Sequence, residues 1–308
     1  MNKEARSVVA HGLRRAGTGA AENEFAARVD EAARRNDSLL CVGLDPDLAR
    51  FPEALRRRHA DDPAGAIVAF NRAIVEATAD LVCAYKPNLA FYAQYGLPGL
   101  EALARTRALV PRDVPVILDA KVNDIGHTAA AYATAYFDAL GFDAVTASPY
   151  LGEDSLWPFL ERRDRGVLVV CRTSNPGAGD LQDLLLTDAG RDGEPAPLYE
   201  VVARRIAAWG ARYGACGAVV GATYPREMAV VRAILPRAPL LVPGIGAQGG
   251  ALEETVRAGL DERGMGLLVS ASRGVTYASA ADDFADAARR AAIEFRDAIN
   301  RERATRHG

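Results

Sequence analysis

The sequence contains no CxxC pair and no Cys/His cluster. Its four cysteines, Cys41, Cys83, Cys171 and Cys216, are scattered, and each lies in an apolar run. That spacing supports neither a zinc site nor a disulfide framework, and four reduced, buried thiols in a cytoplasmic protein are expected instead. Charge of one sign is also lacking. A formal net charge of -3 with interspersed signs gives no field for gathering nucleic acid or an anionic membrane, so partners must come from local sites. Nor does the chain start with a long hydrophobic run. In MNKEARSVVAHGLRRAGTGAAENEF the longest apolar stretch is VVA, far too short for secretion or membrane spanning. Residues 1–22 are read as a mobile extension, ahead of one domain over residues 23–308.

What is present is a regular alternation. Short apolar runs rich in β-branched residues stand at SLLCVGLD (38–45), DLVCAYK (80–86), VPVILDAK (114–121) and FDAVTAS (142–148). Four more follow at GVLVVCR (166–172), GAVVGA (217–222), APLLVPG (238–244) and MGLLVSAS (265–272). Between them lie helical patterns such as AIVAFNRAIVEATA, TAAAYATAYFDALG, LYEVVARRIAAWGARYG and PREMAVVRAIL. Continuously apolar strands imply a parallel sheet covered on both faces. Eight strands alternating with helices predict a (β/α)8 TIM barrel in a single domain, closed by a last helix over about 281–302. A doubly wound sheet is the alternative, but no GxGxxG follows the first strand.

In such barrels the chemistry sits at the C-terminal ends of the strands. Here those ends carry Asp45, Lys86 with Asn88, Asp119 with Lys121, Ser148, Gln248 and Arg273. Asp119 and Lys121 are two apart on a strand and so face one side, which can be the barrel mouth. A lysine beside a carboxylate keeps its charge and can give a proton to a carbanion or anchor an anion. The competing reading is a structural ion pair, a poor stabiliser when buried. Asp124, three residues on, stands where it can cap the TAAAYATAYF helix.

LVPGIGAQGG (241–250) is a glycine-rich turn after the seventh strand, and VSASRG (269–274) ends the eighth. Loops at these two positions are the usual phosphate site of this barrel. Glycines such as Gly246 and Gly249 let backbone N–H groups approach an anion, Gln248 adds amide donors, and Arg273 offers a planar fork. The loop TSNPGAGDLQDL (173–184) is compatible both with a flap over the site and with a plain connection. His127 is read as a surface or capping residue.

DAKVNDI at 119–125 resembles the DxKxxDI signature of the orotidine 5′-phosphate decarboxylases. CVGLDPD (41–47), AYKPNLAFY (84–92), SPYLGEDSL (148–156), TSNPGAGDLQDL and VPGIGAQGG are similar to the longer bacterial branch (type 2) of that family. Two features depart: Ser148 stands where asparagine is expected before PYLG, and VN replaces RG inside DAKVNDI. The resemblance implies decarboxylation of orotidine 5′-phosphate to uridine 5′-phosphate, the last step of de novo UMP biosynthesis, without cofactor or metal. It implies that Lys121 protonates C6, that Asp119 lies beside the substrate carboxylate, and that Lys86 completes an alternating charge network. Asp45 and Lys86 are expected at the ribose hydroxyls, Ser148 at the pyrimidine, and Gln248 and Arg273 at the phosphate. Asp124 and Thr128 are expected to reach the partner's site in a homodimer. Two other functions stay open on the residues alone: a magnesium-dependent enzyme of phosphorylated sugars, and a silent barrel that binds a nucleotide.

Overall fold

The computed structural model describes residues 24–187, 189, 193–214, 216–244 and 250–305. The extension expected over residues 1–22 lies outside them. All eight apolar runs form strands: β1 Leu40–Gly43, β2 Ala84–Lys86, β3 Ile117–Val122, β4 Ala144–Ala147 and β5 Gly166–Arg172. After a two-stranded antiparallel hairpin, β6 Leu185–Leu186 and β7 Ala196–Pro197, come β8 Cys216–Val220, β9 Leu240–Val242 and β10 Leu267–Ala271.

The eight long-range strands pair in parallel in the order β2-β1-β10-β9-β8-β5-β4-β3. The two ends of that order meet: Tyr85 bridges to Val116 and Asn88 to Asp119. Tyr85 N donates to Pro115 O at 2.9 Å, and Asp119 N donates to Pro87 O at 2.9 Å. The sheet is therefore closed, as the (β/α)8 reading requires, and the doubly wound alternative falls because it has two free edges. Closure explains the composition of the strands. Leu40, Cys41, Val42, Val167, Leu168 and Val169 have no exposed surface, because helices cover one face and the barrel interior fills the other.

The helices follow the predicted patterns. Pro63–Thr78 starts with Asp62 accepting from Gly65 N and with proline in its first turn, where the missing N–H is not needed. The TAAAYATAYF helix is regular over Gly126–Ala133 and then widens into a π-helical turn over Thr134–Ala139. The last helix runs Phe284–Ala304, shifted by two or three residues from expectation. At the N-terminal end of the barrel, helix Glu24–Arg35 acts as a plug. Its Phe25 is fully buried against Gly166, where an added Cβ would lie 2.3 Å from the ring. No helix among the described residues is long and apolar enough to cross a membrane.

Candidate active site

The site is built around an irregularity in β3. Leu118 pairs with Val145 and Val122 with Ala147, so two extra residues are accommodated between them. Lys121, within this bulge, has φ of +47°, a left-handed conformation that non-glycine residues adopt at a cost. Thr146 on β4 stabilises it: Lys121 N donates to Thr146 Oγ1 at 2.9 Å. Asp119 and Lys121 do face the same side, but through a bulge and not through plain strand alternation. Bulges re-aim side chains in this way beside functional sites.

The bulge turns the Lys121 ammonium back onto Asp119, with Nζ donating to Oδ1 at 2.6 Å. Thr146 Oγ1 donates to the same oxygen at 2.8 Å. The other oxygen, Oδ2, accepts from Lys86 Nζ at 3.0 Å and from Asn88 Nδ2 at 3.3 Å. Asp119 and Lys86 are 8% and 4% exposed, whereas half of the Lys121 side chain reaches the open mouth. Burial alone would raise the Asp119 carboxyl, but Lys86, Lys121 and the Thr146 hydroxyl hold it well below the usual carboxylate range. Burial alone would likewise lower Lys86, yet Asp119 and Asp45 keep it above the usual lysine range. The result is a fixed row of charges: a buried ammonium, a buried carboxylate, and a second ammonium at the surface of the mouth. Beneath them the buried Cys41 thiol is pushed up to about 12, chiefly by desolvation, so it stays protonated. All four cysteines are buried and free.

The remaining expected residues divide into groups. Asp45 follows β1, half-buried, with Oδ1 accepting from Asn88 N at 3.0 Å, and so belongs to the same cluster. Ser148 is half-buried after β4, and its Oγ accepts from Tyr150 N at 3.4 Å within its own turn. Arg273 is exposed at the start of a short helix after β10 and carries no ion pair among the described residues. Gly246, Gln248 and Gly249 lie outside the described residues. Asp124 and Thr128 do not join the cluster. Among the described residues Asp124 Oδ1 accepts only from Ile125 N, at 2.7 Å, and the helix begins without a side-chain cap, so the capping role is not what is observed. Thr128 is exposed, as is His127. A cavity of about 600 Å³ lined by Ala26, Cys216, Leu235 and Pro239 lies at the N-terminal end of the strands, away from this chemistry.

Two residues escaped the sequence reading. Thr146 is fully buried in an apolar strand, and only its pairing with β3 reveals its role. Arg172 ends GVLVVCR, so the strand-end rule that selected the other residues applies to it equally. It is buried and paired with Asp183 at 3.1 Å, and it fastens the 173–184 loop to β5.

A closed parallel barrel carries an ammonium–carboxylate–ammonium row at the C-terminal ends of its strands, where enzymes of this fold place their chemistry. Comparison with known proteins narrows the class. The pattern of the orotidine 5′-phosphate decarboxylase / HUMPS family matches residues 38–291. The chain is 57% identical over 277 residues to orotidine 5′-phosphate decarboxylase of Thermomicrobium roseum, covering 90% of this chain and 95% of that protein. It is 53% identical over 273 residues to the Herpetosiphon aurantiacus enzyme of the same name, covering 88% and 96%. Among solved structures, Leishmania donovani OMP decarboxylase is 42% identical with a TM-score of 0.76, covering 91% of this chain and 98% of that one. The chain belongs to the orotidine 5′-phosphate decarboxylase / HUMPS family.

Proposed function

We propose that this enzyme converts orotidine 5′-phosphate to uridine 5′-phosphate and carbon dioxide, as the last step of UMP biosynthesis in the cytoplasm. The observation that carries the reading is Asp119 held ionised between two lysines, with Lys121 reaching the mouth. Loss of carbon dioxide from C6 leaves a carbanion that the pyrimidine ring delocalises poorly. The Lys121 ammonium stabilises that charge as it develops and then gives up a proton to C6. Asp119 holds the Lys121 ammonium in place by its ion pair, and its own negative charge beside the substrate carboxylate favours departure of carbon dioxide. Lys86 offsets the buried Asp119 charge and, with Asp45, serves the ribose hydroxyls. Ser148 meets the pyrimidine. Arg273 and Gln248 hold the phosphate, whose binding energy helps assemble the site.

A homodimer completes the reading, with Asp124 and Thr128 serving the partner's site. Two observations support it. Neither residue is hydrogen-bonded or ion-paired to its own chain's charge row, and the segments after β3 and β4 carry exposed apolar side chains: Ile125 (59% exposed), Tyr150 (80%), Leu151 and Trp157. Such surface after adjacent strands suits an interface between copies. The reaction is tested by following the orotate absorbance band of orotidine 5′-phosphate with purified protein, with and without EDTA. Bleaching that EDTA leaves unchanged, with uridine 5′-phosphate as product, is expected. Turnover abolished by EDTA, or nucleotide binding without turnover, would contradict the assignment.

A further inference from the structure

Arg172 occupies the C-terminal end of β5, yet the proposed chemistry does not use it. Its side chain is 3% exposed. Its Nη2 donates to Asp183 Oδ2 at 3.1 Å, and its Nη1 donates to Gln182 Oε1 at 3.2 Å and to Thr173 O at 3.3 Å. The guanidinium lies over the Tyr224 ring, 4.0 Å from its centroid. Nε is buried with no hydrogen-bond partner among the described residues. A buried guanidinium that pairs its charge with a half-exposed carboxylate and keeps a donor left over is a weak stabiliser, and an apolar side chain of similar size would serve the fold as well. What the arrangement supplies is position.

Gln182 shows where that position is used. Its Oε1 accepts from Thr173 N at 2.8 Å, and its Nε2 donates to Thr173 Oγ1 at 2.8 Å. Residues 172–173 and 182–183 are thus fastened together, and the intervening loop leaves and returns at one point. The same Thr173 hydroxyl lies 2.7 Å from Asn175 Oδ1 and donates to it, tying the next turn of the loop. Ser174 is carried across the ends of β8 and β9. A Cβ built on Gly221 would lie 2.7 Å from Ser174 Cβ, and one on Gly244 would lie 3.1 Å from Ser174 Oγ. A side chain at position 221 would push the loop away from the mouth, and Gly244, at φ +94°, has a backbone conformation that favours glycine.

We infer that Arg172 is a positioning residue: by clasping Gln182 and Asp183 it sets Ser174 and Asn175 over the barrel mouth, where they meet the bound nucleotide. This rests on the decarboxylase reading for the identity of the nucleotide. The charge fixes the far end of the loop, and the Gln182 amide transmits that fixation to the Thr173 backbone. Nothing in the clasp touches the reacting carbon, so the effect reaches catalysis only through the loop.

The test uses the full chain carrying Arg172→Met, Gln182→Leu, the double variant, and Gln182→Glu, which keeps the acceptor facing Arg172 and Thr173 N. Steady-state kcat/KM, the Kd for uridine 5′-phosphate and the Tm are measured for each. Each of the first two is expected to lower kcat/KM at least tenfold and to weaken uridine 5′-phosphate binding by a similar factor. The double variant should be no worse than the poorer single, because both break one unit. Gln182→Glu should return to within threefold of wild type. If Arg172→Met fails to fold, Gln182→Leu, on the loop itself, carries the test, and its Tm should match wild type. A Gln182→Leu value of kcat/KM within twofold of wild type, or losses that multiply in the double variant, would overturn the clasp. If wild-type protein shows no turnover, the decarboxylase reading fails instead, and the clasp is then judged on uridine 5′-phosphate binding alone.

Discussion

With four donors on its two carboxylate oxygens, from Lys86, Asn88, Lys121 and Thr146, Asp119 remains ionised although it is buried. Its folded-state pKa is depressed, so the stability contributed by its charge is complete above the unfolded value of about 3.9 and is lost as pH falls through the folded one. Lys86 is displaced upward, so its contribution is complete below about 10.4 and is lost as pH rises past its folded value. Asp119 and Lys86 therefore both keep their charges throughout the interval between those limits. We expect kcat to be flat from about pH 5 to about pH 9, and a tenfold change per pH unit inside that window would contradict the arrangement. Thr146 gives a second prediction. Thr146→Val removes the acceptor of Lys121 N and one donor to Asp119, a loss of about 1–3 kcal/mol for the groups left unpaired. About a tenfold or greater fall in kcat is expected, while Thr146→Ser should stay near wild type. Equal kcat in wild type and Thr146→Val would remove Thr146 from the site.

Secondary-structure elements are positioned by buried charge at the other end of the barrel. Asp143, 2% exposed just before β4, pairs with Arg28 at 2.6 Å, with Arg107 at 3.1 Å and with Arg165 at 3.8 Å. It also accepts from Val116 N at 2.8 Å. One carboxylate thus ties the N-terminal helix to the residue before β3, to the helix Gly96–Leu109 and to the turn before β5. Asp143→Ala leaves partly buried guanidiniums without their partner and is expected to cost about 3–5 kcal/mol in urea unfolding. A change under about 1 kcal/mol would mean the cluster is only a surface network. Elements were also where sequence reading succeeded most. Each strand was visible because barrel closure buries it on both faces and leaves an unbroken apolar run. The β3 bulge was not visible, since it depends on Thr146, 25 residues away, and local periodicity holds no such information. The π-helical turn after Ala133 and the hairpin of β6 and β7 were missed for a related reason: each is too short to impose a period. Lys86, Asp119, Lys121 and Asp45 were legible because polar groups ending apolar strands stand out. Arg172 was equally visible by that rule, but its partners lie in a loop whose conformation the sequence left open.

For the whole molecule, the proposed service of Asp124 and Thr128 to a partner's site makes oligomeric state testable through the chemistry. Inactive Asp119→Ala and Asp124→Ala chains, mixed and allowed to exchange subunits, should recover up to about a quarter of wild-type activity, because each mixed dimer holds one intact site. No recovery in mixed dimers shown to form would place Asp124 outside the partner's site. The central claim, that a lysine ion-paired to a buried carboxylate supplies the proton, is tested most directly by kcat of Lys121→Ala on orotidine 5′-phosphate, with uridine 5′-phosphate binding measured in parallel. The account predicts a fall of at least about a hundredfold, as for loss of a general acid, with nucleotide binding retained. Turnover within a few fold of wild type would contradict it.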